Sequence, residues 1–157
     1  MKYELTTYHK KILADTITPV SVYLKIRDRF PNSILLESSD YHANDNSFSY
    51  ICCNPIASIK VEKEKITEQF PDGAKNETPI TPNTDVTAAL DGFGKKFVAK
   101  ENGFKFITNG LFGYMAYDAV RYFEDVDIRK KEGDMGIPDI YYAVYQNIIA
   151  IDHFIGH

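Results

Sequence analysis

Residues that can hold a small zwitterionic ligand lie beside two neighbouring apolar segments of this sequence. Ile34-Leu35-Leu36 is a continuous apolar run, typical of a strand buried on both faces, and it ends at Glu37-Ser38. An amino-acid ligand needs an acceptor for its ammonium, a donor for its carboxylate and an apolar wall for its side chain. Glu37, Ser38 and the aromatic Phe48 supply these three groups. The alternative is that Glu37 to Asp40 opens a solvated loop, and the residues alone leave both interpretations open.

Other arrangements that carry chemistry are incomplete in this sequence. Gly110 and Gly113 lack both the third glycine of a dinucleotide fingerprint and the Lys-Ser/Thr ending of a phosphate loop, so we interpret them as sites of close backbone packing. The adjacent Cys52 and Cys53 fall on a predicted strand, where they point to opposite faces and are expected to stay separate reduced thiols. The histidines lack the spacing of metal ligands, and no nucleophile is placed beside a base. We predict no catalytic residue and no metal site.

Composition and charge narrow the class of protein. The 157 residues, 44% of them hydrophobic, are enough for one domain spanning residues 1–157 with a core of its own. The net charge is −4 and no arginine cluster is present, so neither nucleic acid nor an anionic membrane is expected as a partner. For the same reason five aromatic residues in one segment are expected to pack in the core rather than stack on bases; they are Phe112, Tyr114, Tyr117, Tyr122 and Phe123. No apolar stretch reaches about 18 residues, and we expect a cytoplasmic protein.

Two helices and a short third one are predicted from apolar spacing and capping residues. Thr18 as N-cap and Pro19 as first residue predict a helix from Pro19 to Arg29. Apolar residues at spacings of three or four predict a second helix over 85–98, with Thr84 as its N-cap. Asp118 is a candidate cap for a short helix after the segment 111–117.

The remaining segments are predicted as strands and loops. The predicted strands cover 3–13, 33–36, 48–53, the hairpin 56–62 with 65–70, 111–117 and 140–154. Residues 71–83 are rich in Pro, Gly, Asn and Asp and are predicted as an exposed loop. Strands thus interleave irregularly with two or three helices. This pattern favours an α+β fold with mostly antiparallel sheets.

Four segments occur in the order seen at the start of one enzyme family: Asp15–Tyr23, Leu35–Ser38, Ser49–Ile51 with Asn54-Pro55, and Gly113–Glu124. The sequence resembles the amino-terminal domain of anthranilate synthase component I, from about Tyr3 to about Phe154. The resemblance implies that Glu37, Ser38, Phe48 and Ser49 help to bind L-tryptophan, the feedback inhibitor, with Ser38 donating a hydrogen bond. One departure bears on this role. The family's Gly-Arg-Tyr-Ser is Asn46-Ser47-Phe48-Ser49 here, and each lost contact to a charged group costs about 1.5–3 kcal/mol.

The resemblance also implies what the chain lacks. The parent enzyme converts chorismate and an amino donor to anthranilate and pyruvate, using Mg²⁺ and a glutamine amidotransferase subunit. Its catalytic groups lie in a carboxyl-terminal domain that this sequence does not contain, so we expect no cofactor and no anthranilate synthase activity from this chain alone. Because part of the pocket belongs to the missing domain, tryptophan binding is expected to be weak. The alternatives are the equivalent domain of aminodeoxychorismate synthase component I, in the folate branch, and a non-catalytic docking module.

Overall fold

The protein is an α+β structure in the computed structural model, which describes residues 1–37, 47–124 and 136–153. In chain order the helices and strands of these ranges are β1 (Tyr3–Leu5), α1 (Pro19–Arg27), β2 (Ile34–Glu37), β3 (Phe48–Glu62), β4 (Lys65–Gln69), β5 (Lys75–Pro79), α2 (Val86–Gly94), β6 (Phe97–Ala99), β7 (Phe112–Met115), a 3-10 helix (Tyr117–Tyr122) and β8 (Ile140–Asp152). β2 with β3, β3 with β4, β4 with β5, and β7 with β8 all pair antiparallel. The predicted fold class is confirmed.

The chain forms two compact units. The first comprises Met1–Tyr3, Ile56–Val98 and Leu111–Val144, and the second comprises Glu4–Pro55, Ala99–Gly110 and Tyr145–His157. β3 and β8 each contribute residues to both units. That residues 1–157 form one domain stays a prediction.

The first unit contains a meander of three consecutive strands. Val61 pairs with Ile66, and Ile66 pairs with Thr78 on β5. The two-residue turn between β3 and β4 is Lys63-Glu64, and both residues have positive φ, at 50° and 58°. Positive φ at both central positions is the requirement of the tight turn whose twist matches that of a hairpin. The predicted hairpin is therefore confirmed.

Two further features hold the first unit together. Phe93 of α2 is fully buried, and its ring centroid lies 5.6 Å from that of Phe70 and 5.2 Å from that of Phe97. Gly113 of β7 lies against β8, where an added Cβ would sit 1.8 Å from the Tyr141 carbonyl oxygen. The predicted close packing at this glycine is confirmed, because only a residue without a side chain fits there.

The second unit contains the predicted capped helix, α1. The Thr18 hydroxyl accepts a hydrogen bond from the Ser21 amide at 3.1 Å, and Pro19 occupies the first helical position. The helix is followed by β2, which pairs with the first part of β3. The first residues of β3 also lie beside the end of β8, where the His153 amide donates to the Ser47 carbonyl at 3.1 Å.

Several predicted elements differ from the structure. The first helix ends at Arg27 rather than at Arg29, and the strands predicted over 48–53 and 56–62 are one continuous strand, β3. The second helix ends at Gly94 rather than at residue 98, because Phe97 leaves it to form β6; its N-cap is Asp85, whose carboxylate accepts from the Ala88 amide at 2.9 Å. The prediction of a loop over 71–83 is wrong for β5, which is a fully exposed strand held by pairing with β4. The prediction that 3–13 is one strand is also wrong, since β1 contains only Tyr3–Leu5.

The segment after β7 also differs from its prediction. Asp118 does not cap the short helix, which begins at Tyr117 with no side-chain cap at all. Tyr117 is 88% exposed, Phe123 is 40% exposed and Tyr114 is 37% exposed, so core packing was the wrong expectation for these three rings. Ala119 is the one buried residue of the 3-10 helix, so this short helix turns a small residue inward and leaves Tyr117 at the surface.

Candidate functional site

The candidate site lies in the second unit, where β2 ends beside the start of β3. Leu36 pairs with Tyr50, and Glu37 pairs with Ser49. Directly opposed residues in an antiparallel pair have Cβ atoms roughly 4.5–5.5 Å apart on the same face of the sheet. The Glu37 carboxylate and the Ser49 hydroxyl therefore share one face. Ser38, the next predicted site residue, lies outside the described residues.

Ser49 is buried but its hydroxyl reaches a third element. The side chain of Ser49 is 1% exposed, and its Oγ lies 2.6 Å from Nε2 of His153, which follows β8 and is exposed. The backbone of His153 lies opposite Ser47. Ser47 and Ser49 are two residues apart in the chain and therefore share one face, which is also the face of His153. The structure thus brings together a carboxylate, a hydroxyl and an imidazole from three adjacent chain segments.

Phe48 lies on the other face of β3. Successive side chains of a strand alternate between faces. The Phe48 ring therefore shares a face with Tyr50, two residues away, and the two ring centroids are 6.4 Å apart. It also contacts the ring of Phe106 at 5.6 Å, and the Tyr50 hydroxyl accepts a hydrogen bond from the Ile107 amide at 3.2 Å. Phe48 therefore packs within an aromatic cluster behind the strand, away from Glu37 and Ser49. A ligand role for any of these residues stays a prediction.

His153 is absent from the site residues predicted from sequence. The histidines were weighed there only as metal ligands, and His153 lies 104 positions from Ser49 in the chain. Only the register of β3 against β8 brings the two side chains together. The sequence carried no signal for this contact, because nothing in the apolar segment 140–154 indicates which strand its far end meets.

The two cysteines behave as predicted. Both are free and buried in β3, with Cys52 fully buried and Cys53 5% exposed. Burial, and then the neighbouring Cys53, raise the pKa of the Cys52 thiol to about 12. A thiol that stays protonated at neutral pH is a poor nucleophile and a poor metal ligand.

The segment Gly113–Glu124, which carries part of the family resemblance, lies in the first unit, where its side chains form a hydrogen-bond network with Asp139. Arg121 Nη2 donates to Asp139 Oδ2 at 2.6 Å and to the Tyr122 hydroxyl at 2.9 Å, and that hydroxyl donates to the same carboxylate oxygen at 2.8 Å. Burial and the hydrogen bond to Asp139 raise the pKa of Tyr122. These contacts fix the 3-10 helix to the residue that precedes β8.

The residues that the structure describes contain neither a candidate metal site nor a helix that could cross a membrane. No group of three or more His, Cys, Asp or Glu side chains in those ranges could hold a metal ion. Among the helices seen there, none has the length and apolar character needed to cross a membrane.

Comparisons with known proteins point to one enzyme. No family model matches the sequence. Anthranilate synthase component 1 of Lactococcus lactis is 31% identical over 152 residues, which is 92% of this chain and 29% of the relative, and that of Pseudomonas putida is 32% identical over 146 residues, again 92% and 29%. The crystal structure of anthranilate synthase component I from Streptococcus pneumoniae aligns with a TM-score of 0.48 and 20% identity, over 94% of this chain and 30% of that one. The chain thus spans just under a third of the length of the relatives it matches.

Proposed function

We propose that this chain, which is homologous to the amino-terminal region of anthranilate synthase component I, is the tryptophan-binding regulatory region of such an enzyme. One observation carries the proposal: Glu37 and Ser49, two of the four residues predicted from the resemblance, pair on one face of the sheet. An exposed carboxylate at that place suits an ammonium group. No ion pair to Glu37 is found among the described residues, and the proposal assigns its charge to the ammonium of the ligand.

Each proposed ligand residue has a distinct role. Glu37 accepts from the ammonium of tryptophan, and Ser38 donates a hydrogen bond to the ligand. Ser49 forms the base of the site between the neighbouring strands, where its hydroxyl is hydrogen-bonded to the His153 imidazole. Phe48 acts from behind β3, where its packing against Phe106 fixes the strand that carries Ser49.

The catalytic activity belongs, in this proposal, to polypeptide beyond the part matched here. The parent enzyme is a lyase that makes anthranilate and pyruvate from chorismate, with Mg²⁺ and an amidotransferase subunit bound outside this region, in the cytoplasm. Alone, the 157-residue chain is expected to be inactive because it corresponds to 29% of its relatives' length. Anthranilate fluorescence from the purified chain, with chorismate and ammonia supplied, would contradict this division of labour.

A ligand titration tests the regulatory role. The chain contains no tryptophan, so added L-tryptophan can be followed by its own fluorescence, and amide NMR shifts report where it binds. Because the pocket is expected to be incomplete, we expect a Kd of about 1 mM, which corresponds to roughly 4 kcal/mol. Shifts should cluster at β2 and the start of β3.

Two variants sharpen this titration. Glu37→Gln removes the charge and should weaken binding about tenfold or more. The matched control is Glu101→Gln, an exposed glutamate in the same unit, which should bind as the wild type does. If both variants bind equally well, the ligand does not use Glu37. If metabolites of the folate branch, such as p-aminobenzoate, shift the amide signals of β2 and β3 and L-tryptophan does not, the folate-branch alternative replaces the proposal.

A further inference from the structure

We infer that His153 is a ligand-binding residue of this site and that its imidazole receives the α-carboxylate of the bound amino acid. The inference rests on the proposed function and extends it by a residue that the resemblance does not supply. It starts from the 2.6 Å contact between Ser49 Oγ and His153 Nε2 on the face that also carries Glu37.

The contact fixes which ring nitrogen is free for a ligand. Nε2 is occupied by the buried Ser49 hydroxyl, and no hydrogen bond to Nδ1 is found within residues 1–37, 47–124 and 136–153. When Ser49 donates to Nε2, the neutral ring carries its hydrogen on Nδ1, and the imidazolium carries one on both nitrogens. Nδ1 of the exposed ring is a donor in both of these states, which is the group that a carboxylate needs. A bound carboxylate therefore selects them over the neutral ring with its hydrogen on Nε2, which has no hydrogen on Nδ1.

The arrangement of the strands offers one group for each end of an amino acid. Glu37 lies on one side of Ser49 and the His153 imidazole lies on the other. The backbones that carry them are about two inter-strand spacings, or roughly 9–10 Å, apart. The imidazole reaches back from its own segment to within 2.6 Å of Ser49 Oγ. An α-amino acid places its ammonium nitrogen and a carboxylate oxygen at most about 3.5 Å apart. A hydrogen bond of about 2.8 Å at each end brings the total span to roughly 9 Å. The zwitterion thus lies across Ser49, with its ammonium at Glu37 and its carboxylate at His153.

The same geometry excludes a competing role for the pair. A serine hydroxyl hydrogen-bonded to a histidine is also the arrangement of an activated nucleophile. Here the serine is only 1% exposed, and it lies within a strand that pairs on both sides. A substrate carbonyl cannot approach its Oγ, so Ser49 orients the imidazole instead of attacking a substrate.

The test separates the two ends of the ligand. Wild-type chain is titrated with L-tryptophan, with tryptamine, which lacks the carboxylate, and with indole-3-propionate, which lacks the ammonium. We expect L-tryptophan to bind about ten- to a hundredfold more tightly than tryptamine, because a charge-assisted hydrogen bond is lost. In His153→Gln that preference should disappear, while the affinity for tryptamine stays unchanged. His9→Gln, another exposed histidine of the same unit, is the matched control and should keep the preference.

The outcomes distinguish this inference from the proposed function. If L-tryptophan binds and shifts the Glu37 amide but His153→Gln keeps the preference over tryptamine, the inference is overturned and the regulatory role stands. If no residue shifts with L-tryptophan at several times the expected Kd, both are overturned. Long-range ¹H–¹⁵N spectra of the wild-type imidazole ring give a readout without any substitution. His153 Nδ1 should shift with L-tryptophan and indole-3-propionate but not with tryptamine, and a ring indifferent to all three would also overturn the inference.

Discussion

Replacing Gly113 by alanine should strongly destabilise the first unit, although it adds only one methyl group. The added Cβ would lie 1.8 Å from the Tyr141 carbonyl oxygen and 2.8 Å from Tyr142 Cα, both backbone atoms that cannot rotate away. β7 would have to move from β8 by more than about 1 Å, which takes inter-strand hydrogen bonds beyond about 3.2 Å. Losing two such bonds and loosening the packing of buried Phe112 costs about 3 kcal/mol in total.

Urea unfolding followed by far-ultraviolet circular dichroism measures this effect. With a slope of about 2 kcal/mol per molar urea, the midpoint of Gly113→Ala should fall by roughly 1.5 M. The matched control is Gly92→Ala in α2, where an added Cβ has no neighbour within 4 Å. That variant should raise the free energy of unfolding by about 0.5–1 kcal/mol, because alanine restricts the unfolded chain and favours the helix. Midpoints of the two variants within about 0.2 M of each other, equivalent to roughly 0.4 kcal/mol, would refute the steric reasoning.

Three further predictions concern the free energy of unfolding. Thr18→Ala removes the acceptor of the Ser21 amide and should cost about 1 kcal/mol, and an unchanged urea midpoint would show that the cap contributes nothing. Lys63→Asn combined with Glu64→Gly relieves two positive-φ positions and should raise stability by about 1 kcal/mol, whereas a lower midpoint would contradict the turn assignment. Because the folded pKa of Cys52 is about 12 and its ordinary value is 9.0, its contribution is constant below pH 9.0 and is lost as the pH rises towards 12. Cys52→Ala should flatten this alkaline loss relative to wild type, and equal slopes would argue against a buried thiol.

The parts of the fold that could be predicted from sequence are those specified by neighbouring residues. Thr18-Pro19 marks the start of α1 because the cap and the fixed φ of proline act within one turn. The alternation of Ile59 and Val61 with charged residues likewise marks the hairpin. β5 could not be predicted, since its exposed, polar residues have little strand propensity and are held by their pairing with β4.

For the candidate site, the sequence predicted which residues lie close together better than it predicted the face of the sheet to which their side chains point. The resemblance placed Glu37 and Ser49 in the same site, and the register of β2 with β3 does set them side by side. It also grouped Phe48 with them, although alternation along a strand sends adjacent residues to opposite faces. His153 could not be found, because its neighbour in space is 104 positions away and no local pattern reports a pairing of that range.

The meander of β3, β4 and β5 has a consequence for the order in which the chain folds. Lys65 and Glu77, which form an ion pair across β4 and β5, are 12 positions apart, whereas Ser49 and His153 are 104 apart. Closing the longer loop costs roughly 2 kcal/mol more chain entropy than closing the shorter one. We therefore expect the meander to be structured in the folding transition state and the pairing of β3 with β8 to form last. The face that carries Glu37, Ser49 and His153 would then be completed only at the final step of folding, so a nascent chain could not bind its ligand early.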